Sequence, residues 1–428
     1  MAARPETGEA AEDLRWMAAA LTLARRGRGS VAPNPAVAAL IVRGGQLLAR
    51  GVTAPGGRPH AEAEALARLA ARGLSAAGAT VYVTLEPCAH HGQTPPCVDA
   101  LIAAGVARVV CPMVDPDPRV SGRGFARLRA AGVAVSVGPC ADEAAAVNDG
   151  FLSCVTRRRP ALTLKLATTL DGRIATAAGE SRWITGPAAR RMVHVMRAEA
   201  DAVLIGAGTA RTDDPMLDVR GLGDAVAQPR RVVADPAFSL PHGSRLARTA
   251  AEQAVWLLHR PFDAADAGEG AAIAARGAAL SAKGVRLLEI APVARVPQAA
   301  LAQHAAPAKA PLAVPPPGHG HVLDPQVSAL PSALPAPDAM LARLALEGVN
   351  SVLCEGGGRL AAALLSAGLV DRLVTFTAGA AIGAEGIAAL GQLGLTTLAG
   401  APRFTLQSLD TLEGDVMACW TPQAGAPV

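Results

Sequence analysis

The sequence has few aromatic residues and little net charge. Phe, Trp and Tyr together make up 3% of its 428 residues, and the formal net charge is +4. A nucleic-acid-binding protein would need a basic surface and aromatic side chains on which bases can stack, so this class is disfavoured. No apolar run approaches the roughly 20 residues of a membrane span, and the polar, Ala-rich segment 1–12 lacks the apolar centre of a secretory signal. We therefore expect a cytoplasmic protein that acts on a small molecule.

Cysteine is also too sparse for a disulfide framework. The chain has seven cysteines, and a long intracellular chain of this kind is expected to keep them reduced. Five of them are interpreted as mostly buried small hydrophobes. The other two, Cys88 and Cys97, enclose a loop with a distinctive pattern. We call residues 87–97 the cysteine loop.

The cysteine loop and the segment His60-Ala61-Glu62 contain the parts of a catalytic zinc site. One imidazole and two thiolates, from His60, Cys88 and Cys97, give three protein ligands and leave the fourth tetrahedral position open. Zinc lowers the pKa of water toward neutrality, and the carboxylate of Glu62 can carry protons to a leaving ammonia. This order is typical of zinc deaminases, although eight residues rather than two separate the cysteines.

Two other interpretations of the cysteine loop remain. A structural zinc site would need a fourth protein ligand, and none is convincing. The thiols could instead be buried without metal. His90 and His91 lie in the loop and could ligate in principle, but substrate contact is the better interpretation of His90.

The length predicts two domains. Strands alternate with helices through the first 150 residues, which predicts a three-layer α/β sandwich whose first helix is capped by Asp13. We assign 1–12 to a disordered N-terminus, 13–156 to a first domain and 157–428 to a second. Within the second, Ala and Pro dominate between about 291 and 337, which indicates a flexible surface insertion.

A glycine-rich turn at Glu355-Gly356-Gly357-Gly358 separates a predicted strand from a predicted helix. Glycines in this position let backbone amides approach a phosphate, and the helix dipole favours its charge. The turn lacks the G-x-G-x-x-G pattern. A plain glycine-rich turn is therefore an equally good interpretation from these residues alone.

From about Asp13 to Trp420, outside the insertion, the chain closely resembles the bifunctional deaminase–reductases of riboflavin biosynthesis. In the first half the resemblance is carried by Pro33-Asn34-Pro35, His60-Ala61-Glu62, Thr84-Leu85-Glu86-Pro87-Cys88, His91-Gly92-Gln93-Thr94-Pro95-Pro96-Cys97, Asp115-Pro116-Asp117-Pro118 and Gly122-Arg123-Gly124. In the second half it is carried by Leu164-Lys165, Leu170-Asp171-Gly172-Arg173-Ile174-Ala175, Gly179-Glu180-Ser181-Arg182-Trp183-Ile184-Thr185, Gly208-Thr209, Asp213-Asp214-Pro215 and Glu355-Gly356-Gly357. The family pattern usually has Gly, Ser and Asn where this chain has Ala38, Ala89 and Asp117, and none of these departures removes a metal ligand.

The resemblance implies one zinc ion per chain on His60, Cys88 and Cys97, with Glu62 as the proton carrier. It implies substrate contacts at Asn34, His90, Lys165, Ser181, Thr185, Arg197, Leu217, Arg220 and Glu355. It implies NADPH contacts at Ala167, Trp183, Thr209, Asp213, Gly357, Gly358, Arg359, Leu360, Ala361, Ala362 and Ala363. The cations Lys165, Arg197 and Arg220 suit a ribose phosphate. Trp183 offers a flat face for a cofactor ring, the alternative being ordinary core packing.

The resemblance also implies the fold and the reactions. A cytidine-deaminase-like α/β/α sandwich would deaminate 2,5-diamino-6-(5-phosphoribosylamino)pyrimidin-4-one, and a dihydrofolate-reductase-like α/β domain would then reduce the ribosyl to the ribityl side chain with NADPH. The alternative is a zinc deaminase for another nucleobase or nucleotide with a non-reducing C-terminal binding domain. The expected partners are the small-molecule substrate and further copies of the chain, with no nucleic acid and no membrane.

Overall fold

The computed structural model describes residues 7–92, 94–262, 268–290 and 334–423. The chain divides into two compact units, Met1–Arg158 and Arg159–Val428. The division lies two residues beyond the predicted boundary. The predicted insertion at 291–337 falls outside the described residues except for its last four, of which Pro337 begins a helix. Within the described ranges no helix is both long and apolar enough to cross a membrane.

Unit 1 is built around a five-stranded sheet in the order β2-β1-β3-β4-β5. Its strands are β1 Ala38–Arg43, β2 Gln46–Val52, β3 Thr80–Val83, β4 Arg108–Cys111 and β5 Ala134–Val137. Its helices are α1 Thr7–Ala24, α2 Ala61–Ala71, α3 Cys97–Ala103, α4 Arg123–Ala130, α5 Ala141–Val147 and α6 Asp149–Arg157. Strand β1 runs antiparallel to β2 and β3, whereas β3, β4 and β5 are parallel.

The side chains of β1 show why helices cover both faces of this sheet. Ala39 and Ile41 belong to one buried cluster with residues of α2, α3 and α4. Leu40 and Val42 belong to another cluster with residues of α1 and α5. Because successive strand residues point to opposite faces, a strand whose first five residues are all apolar needs cover on both faces. The predicted three-layer sandwich is confirmed.

Helix α1 begins earlier than expected, so the prediction of disorder over 1–12 is wrong from Thr7 onward. Asp13 lies inside the helix rather than capping it. Its carboxylate accepts hydrogen bonds from the Tyr82 hydroxyl at 3.0 Å and from two guanidinium nitrogens of Arg108 at 2.9 and 2.6 Å. These bonds tie the helix to the neighbouring sheet. A contact of this kind joins residues far apart in sequence, so no local pattern predicts it.

Unit 2 contains a nine-stranded sheet in the order β11-β10-β9-β8-β12-β6-β13-β16-β15 and a two-stranded sheet of β14 and β7. The strands are β6 Ala161–Thr169, β7 Arg173–Ala175, β8 Ala202–Gly206, β9 Arg230–Ala234, β10 Val255–His259, β11 Arg286–Glu289, β12 Ser351–Cys354, β13 Arg372–Ala378, β14 Ile387–Ala388, β15 Phe404–Leu412 and β16 Asp415–Pro422. The helices are α7 Pro187–Ala198, α8 Ala207–Asp213, α9 Arg245–Arg248, α10 Glu269–Ser281, α11 Pro337–Leu346 and α12 Gly358–Ser366.

The strands from β11 to β13 run parallel, and β16 and β15 are added as an antiparallel hairpin. Helices again pack on both faces. Leu162 and Leu164 of β6 join a cluster with α11 and α12, whereas Val203 and Ile205 of β8 join a cluster with α8, α9 and α10. Because β6, β8 and β12 are parallel neighbours, their carboxyl ends point to the same edge of the sheet, where α/β proteins place their sites.

Candidate active sites

The three predicted zinc ligands lie at the ends of neighbouring elements of unit 1. His60 is the last residue before α2, Cys88 follows the end of β3, and Cys97 is the first residue of α3. The backbone N–H of Cys97 donates a hydrogen bond to the Cys88 sulfur at 3.3 Å. His60 and Cys97 thus lie at helix starts, where the partial positive charge favours thiolates.

The donor atoms have the spacing of a zinc site. The Nδ1 atom of His60 lies 3.6 Å from the Cys88 sulfur and 3.4 Å from the Cys97 sulfur. For ordinary Zn–S and Zn–N bond lengths, a tetrahedral angle separates sulfur and nitrogen by about 3.6 Å. Among the described residues this is the single group of three or more His, Cys, Asp or Glu side chains with metal-ligand spacing. The donor set therefore fits zinc.

The two cysteines share their protons unequally. The hydrogen bond from the Cys97 thiol lowers the pKa of Cys88 to about 4, with a smaller contribution from His60. The same hydrogen bond raises the pKa of Cys97, and burial raises it further. The pairing therefore favours the thiolate form of Cys88, and the thiolate is the ligating form.

Glu62 lies on the first turn of α2, and its side chain is only 4% exposed. Burial raises the pKa of Glu62 to about 7, and the nearby Cys88 thiolate adds to the rise. A carboxyl group with a pKa near the working pH can both accept and return a proton. Its place two residues after a metal ligand agrees with the predicted proton carrier.

Asn34 and His90 lie beside the metal ligands. The Asn34 side-chain amide donates to the backbone carbonyl of Gly57 at 2.7 Å, and its nitrogen lies 3.4 Å from His60 Nε2. A Cβ on Gly57 would lie 2.7 Å from Asn34 Cγ, so this close approach requires glycine. His90 Nδ1 is buried without a hydrogen-bond partner among the described residues. That nitrogen is available to a bound pyrimidine.

Glu86 has a role that the sequence reasoning missed. Its buried carboxylate accepts hydrogen bonds from four backbone N–H groups, those of Asp115 at 3.1 Å, Gly122 at 2.9 Å, Gly124 at 2.9 Å and Phe125 at 3.2 Å. These bonds join the start of α4 and the loop before it to the residue that immediately precedes the cysteine loop. The sequence feature that could have indicated this role is the position of Glu86 directly before Pro87-Cys88.

In unit 2, Arg197 and Glu355 form a bidentate ion pair. Arg197 Nε and Nη2 donate to the two carboxylate oxygens at 2.6 and 2.9 Å, and Nη1 donates to the backbone carbonyl of Asp218 at 3.0 Å. The two side chains are only 12% and 10% exposed. Three of the five guanidinium N–H groups are thus engaged within the protein, and one on each terminal nitrogen is left over. The pairing neutralises a carboxylate that would otherwise be buried unpaired.

Lys165 projects from β6 beside this ion pair. Burial lowers the pKa of Lys165, while the charge of Glu355 opposes the shift. The lysine nitrogen lies 5.8 Å from the centre of the Phe376 ring. Lys165, Arg197 and Glu355, all predicted substrate residues, are thus brought together near the carboxyl end of β12.

The predicted cofactor residues Thr209 and Gly357 are in contact. Gly357 precedes the first residue of α12, and its N–H donates to the Thr209 hydroxyl at 3.0 Å. The N–H groups of Gly358 and Arg359 have no acceptor in the described part of the chain. A Cβ on Gly358 would lie 3.0 Å from the Ala389 carbonyl, so glycine is needed for this packing. The free amides at a helix start suit an anion.

The remaining predicted residues of unit 2 divide between surface and core. Trp183 is 70% exposed, so the core-packing alternative is wrong. The guanidinium of Arg190 lies 4.5 Å from its ring centre. Arg182 donates to the carbonyl of Asp213 at 2.7 Å. Half-buried positions are Ala167, Ser181, Thr185 and Ala363.

Three of the predicted NADPH contacts have side chains that a cofactor cannot reach. Leu360, Ala361 and Ala362 are buried in the unit 2 core, so their side chains are not available to a cofactor. Leu217 is also buried, with a left-handed φ of 56°. Arg220 is exposed, and its Nε lies 3.3 Å from Asp218 Oδ1. Arg220 is therefore the more exposed of the two arginines predicted to bind phosphate.

Comparisons with known proteins agree with both units. Residues 10–113 match the family model for the zinc-binding region of cytidine and deoxycytidylate deaminases, and residues 160–269 and 326–418 match that for the RibD C-terminal domain. The riboflavin biosynthesis protein RibD of Escherichia coli is 38% identical over 416 residues, covering 95% of this chain and 98% of that protein. The RibD of Haemophilus influenzae is 33% identical and covers 96% and 98%.

Solved structures agree along nearly the whole chain. Acinetobacter baumannii RibD superposes with a TM-score of 0.76 at 34% identity, covering 97% of this chain and 100% of that one. The diaminohydroxyphosphoribosylaminopyrimidine deaminase/5-amino-6-(5-phosphoribosylamino)uracil reductase of Thermotoga maritima gives a TM-score of 0.75 at 29% identity, with the same coverage. With a His/Cys/Cys site in one unit and a RibD C-terminal domain in the other, the chain belongs to the RibD family of riboflavin biosynthesis proteins.

Proposed function

We propose that the chain carries both activities for which its relatives are named, a hydrolase in unit 1 and an oxidoreductase in unit 2. The observation that carries the proposal is the His60, Cys88 and Cys97 donor set beside the buried Glu62. The match of unit 2 to the RibD C-terminal domain supports the reductase. It also disfavours the alternative, a deaminase for another nucleobase with a non-reducing second domain.

In the deaminase, His60, Cys88 and Cys97 would hold zinc, which when bound lowers the pKa of water and so supplies the nucleophile. Glu62, whose pKa is about 7, takes a proton from the attacking water and gives it to the departing amino group. The ring thus gains a carbonyl oxygen and releases ammonia. Asn34 orients the His60 ring, and His90 contacts the pyrimidine.

In the reductase, NADPH when bound supplies the hydride. Thr209 holds Gly357 by a hydrogen bond, and the next two amides and the exposed Trp183 ring would hold the cofactor. Lys165 and Glu355 contact the ribosyl group. Arg220 binds the phosphate of the substrate's ribosyl group, because a guanidinium can donate two parallel hydrogen bonds to a phosphate.

Ammonia release in the absence of NADPH tests the deaminase by itself. We expect purified zinc-loaded protein to release ammonia from the diamino substrate without any reduced cofactor, because unit 1 contains all the groups that the step needs. Cytidine, deoxycytidylate and single-stranded DNA serve as comparison substrates. Faster release from any of these would favour the alternative function.

The Thr209 hydroxyl should control cofactor affinity. In Thr209→Val the Gly357 N–H loses its acceptor, and a lost hydrogen bond of this kind costs about 1 to 3 kcal/mol. We expect the dissociation constant for NADPH, measured by calorimetric titration, to rise roughly tenfold. Thr209→Ser keeps the hydroxyl and should bind NADPH normally. Equal affinity in Thr209→Val and wild type would contradict the assigned role, and deamination should be unchanged in both variants.

We also propose that the chain forms homo-oligomers through the exposed edge of unit 2. Strand β15 lies at one edge of the nine-stranded sheet. Two of its leucines are exposed to solvent, Leu406 at 45% and Leu409 at 61%. Leu398, just before it, is 82% exposed. An open edge with apolar side chains is a template for strand pairing, and a second copy would offer the same edge under two-fold symmetry.

A charge on this edge should separate the copies. Leu409→Glu would place an unpaired carboxylate in the contact, so we expect self-association to weaken roughly a hundredfold or more. The molar mass measured by light scattering should then fall to that of one chain. Leu14→Glu places the same charge on α1 at a leucine that is 51% exposed, and it should leave the mass unchanged. A wild-type protein with the mass of one chain would contradict the proposal.

A cytoplasmic location is our further proposal, supported by the state of the cysteines. None of the seven cysteines is in a disulfide bond, and cysteines stay reduced in a reducing compartment. Two of them are zinc ligands that must stay reduced.

A further inference from the structure

Unit 1 has no lysine, so arginine must supply any fixed positive charge near its active site. Two arginines donate hydrogen bonds to the cysteine loop. Arg58 Nη1 donates to the Thr94 hydroxyl at 2.9 Å. Arg127 Nη1 donates to the Ala89 carbonyl, also at 2.9 Å.

These two arginines differ in how their charge is compensated. Arg127 forms an ion pair with Asp99. Arg58 forms no ion pair with a carboxylate in the part of the chain that the structure describes, and its side chain is only partly buried. Its guanidinium therefore keeps N–H groups and a full charge for a ligand.

Arg58 also lies close to the groups that surround the metal site. It precedes the ligand His60 by two residues, and Gly57 before it accepts the hydrogen bond from Asn34. A Cβ placed on Gly92 would lie 3.7 Å from Arg58 Nη2 and 4.0 Å from His90 Nε2. Arg58 and the predicted pyrimidine contact thus flank the same small space at the cysteine loop.

The substrate named for the relatives carries a phosphate that a cation near the ring-binding residues could bind. A phosphoribosylaminopyrimidine carries its phosphate at the end of the group attached to the ring. A guanidinium binds phosphate with two parallel, charge-assisted hydrogen bonds. An arginine without a carboxylate partner, beside the residue that contacts the ring, has the chemistry to receive that phosphate.

We propose that Arg58 binds the substrate phosphate in the deaminase site and so sets its preference for phosphorylated pyrimidines. This inference rests on the proposed deaminase function of unit 1. Arg127 has a structural role only, since Asp99 already neutralises it.

The test compares the phosphorylated diamino substrate with its dephosphorylated counterpart in full-length, zinc-loaded protein without NADPH. We expect Arg58→Gln to raise KM for the phosphorylated substrate by roughly ten- to a hundredfold, the range for a lost charge-assisted contact. Its kcat and zinc content should stay near wild type, and KM for the dephosphorylated substrate should not change. Arg58→Lys should fall between the two. Arg127→Gln should change both substrates by one common factor.

A second measurement, inhibition of the wild-type protein, tests the role of Arg58 even if Arg58→Gln folds poorly. Ribose 5-phosphate should inhibit wild-type deamination competitively where ribose does not, and Arg58→Lys should weaken that inhibition. Equal losses on both substrates in Arg58→Gln, or no preference of the wild type for the phosphorylated one, would overturn the assignment of Arg58. Wild-type protein that releases no ammonia from either substrate would instead overturn the deaminase function itself.

Discussion

Glu62→Gln protein should purify with a full complement of zinc and yet deaminate its substrate roughly two to four orders of magnitude more slowly than wild type. The carboxylate is not one of the three grouped metal-donor side chains, so metal content should not depend on it. Glutamine cannot take up and return a proton, and the loss of a general acid/base has an effect of this size. Ammonia release and zinc content on the same sample provide the measurement.

Glu64→Gln provides the matched control. Glu64 lies on the same helix, where it accepts a hydrogen bond from the Val52 N–H at 2.7 Å and pairs with Arg68. Its replacement should leave deamination within a few-fold of wild type. A Glu62→Gln protein that lacked zinc, or that deaminated normally, would show that the role of Glu62 is wrong.

Cys88→Ser should lose the metal and with it at least a hundredfold of the deaminase activity. A serine hydroxyl is not ionised at neutral pH, and thiolate is the form that binds zinc in a His/Cys/Cys site. Because Cys88 also accepts the hydrogen bond from the Cys97 N–H, the substitution disturbs the start of α3 as well. Metal analysis after dialysis gives the zinc content directly.

Cys140→Ser is the control for loss of a thiol in general. Cys140 is a partly exposed free cysteine outside the donor set. Its replacement should retain zinc and activity. NADPH-dependent reduction of the deaminated intermediate, supplied directly, should persist in Cys88→Ser as well, because the reductase residues lie in unit 2. Full zinc occupancy in Cys88→Ser would remove Cys88 from the ligand set.

Strands with a continuous apolar run could be predicted from the sequence. Their short apolar runs predict strands over Arg108–Cys111, Ala202–Gly206 and Ser351–Cys354, and β4, β8 and β12 have these bounds. The zinc ligands were also predictable, since few chemistries use one imidazole and two thiols in that order with a carboxylate two residues after the His. Local composition and ligand type were sufficient for both.

Contacts between distant residues could not be predicted in the same way. The ion pair of Arg197 with Glu355 joins residues 158 positions apart, and no local pattern indicates that these two predicted substrate residues bind each other. The four hydrogen bonds to Glu86 could not be predicted either. Their donors are backbone N–H groups, which nearly every residue type has. The unexpected first turns of α1 likewise make a long-range contact, because Glu9 pairs with Arg108 of β4 at 3.0 Å.

The β15–β16 hairpin was missed for a different reason. Most side chains of β15 are exposed, so the strand has neither a buried apolar run nor a clean alternation. Its register also shifts between Leu406 and Ser408, which interrupts the two-residue period. Pairing with β16, rather than burial, defines this strand.

The most direct test of two coupled chemistries in one chain is a single reaction followed by two readouts. Wild-type protein is mixed with the diamino substrate and NADPH, and ammonia release and NADPH oxidation are recorded together. We predict that ammonia appears first and that NADPH oxidation follows until the two amounts are equal. Ammonia release without any NADPH oxidation would contradict the reductase in unit 2, and NADPH oxidation without ammonia would contradict the deaminase in unit 1.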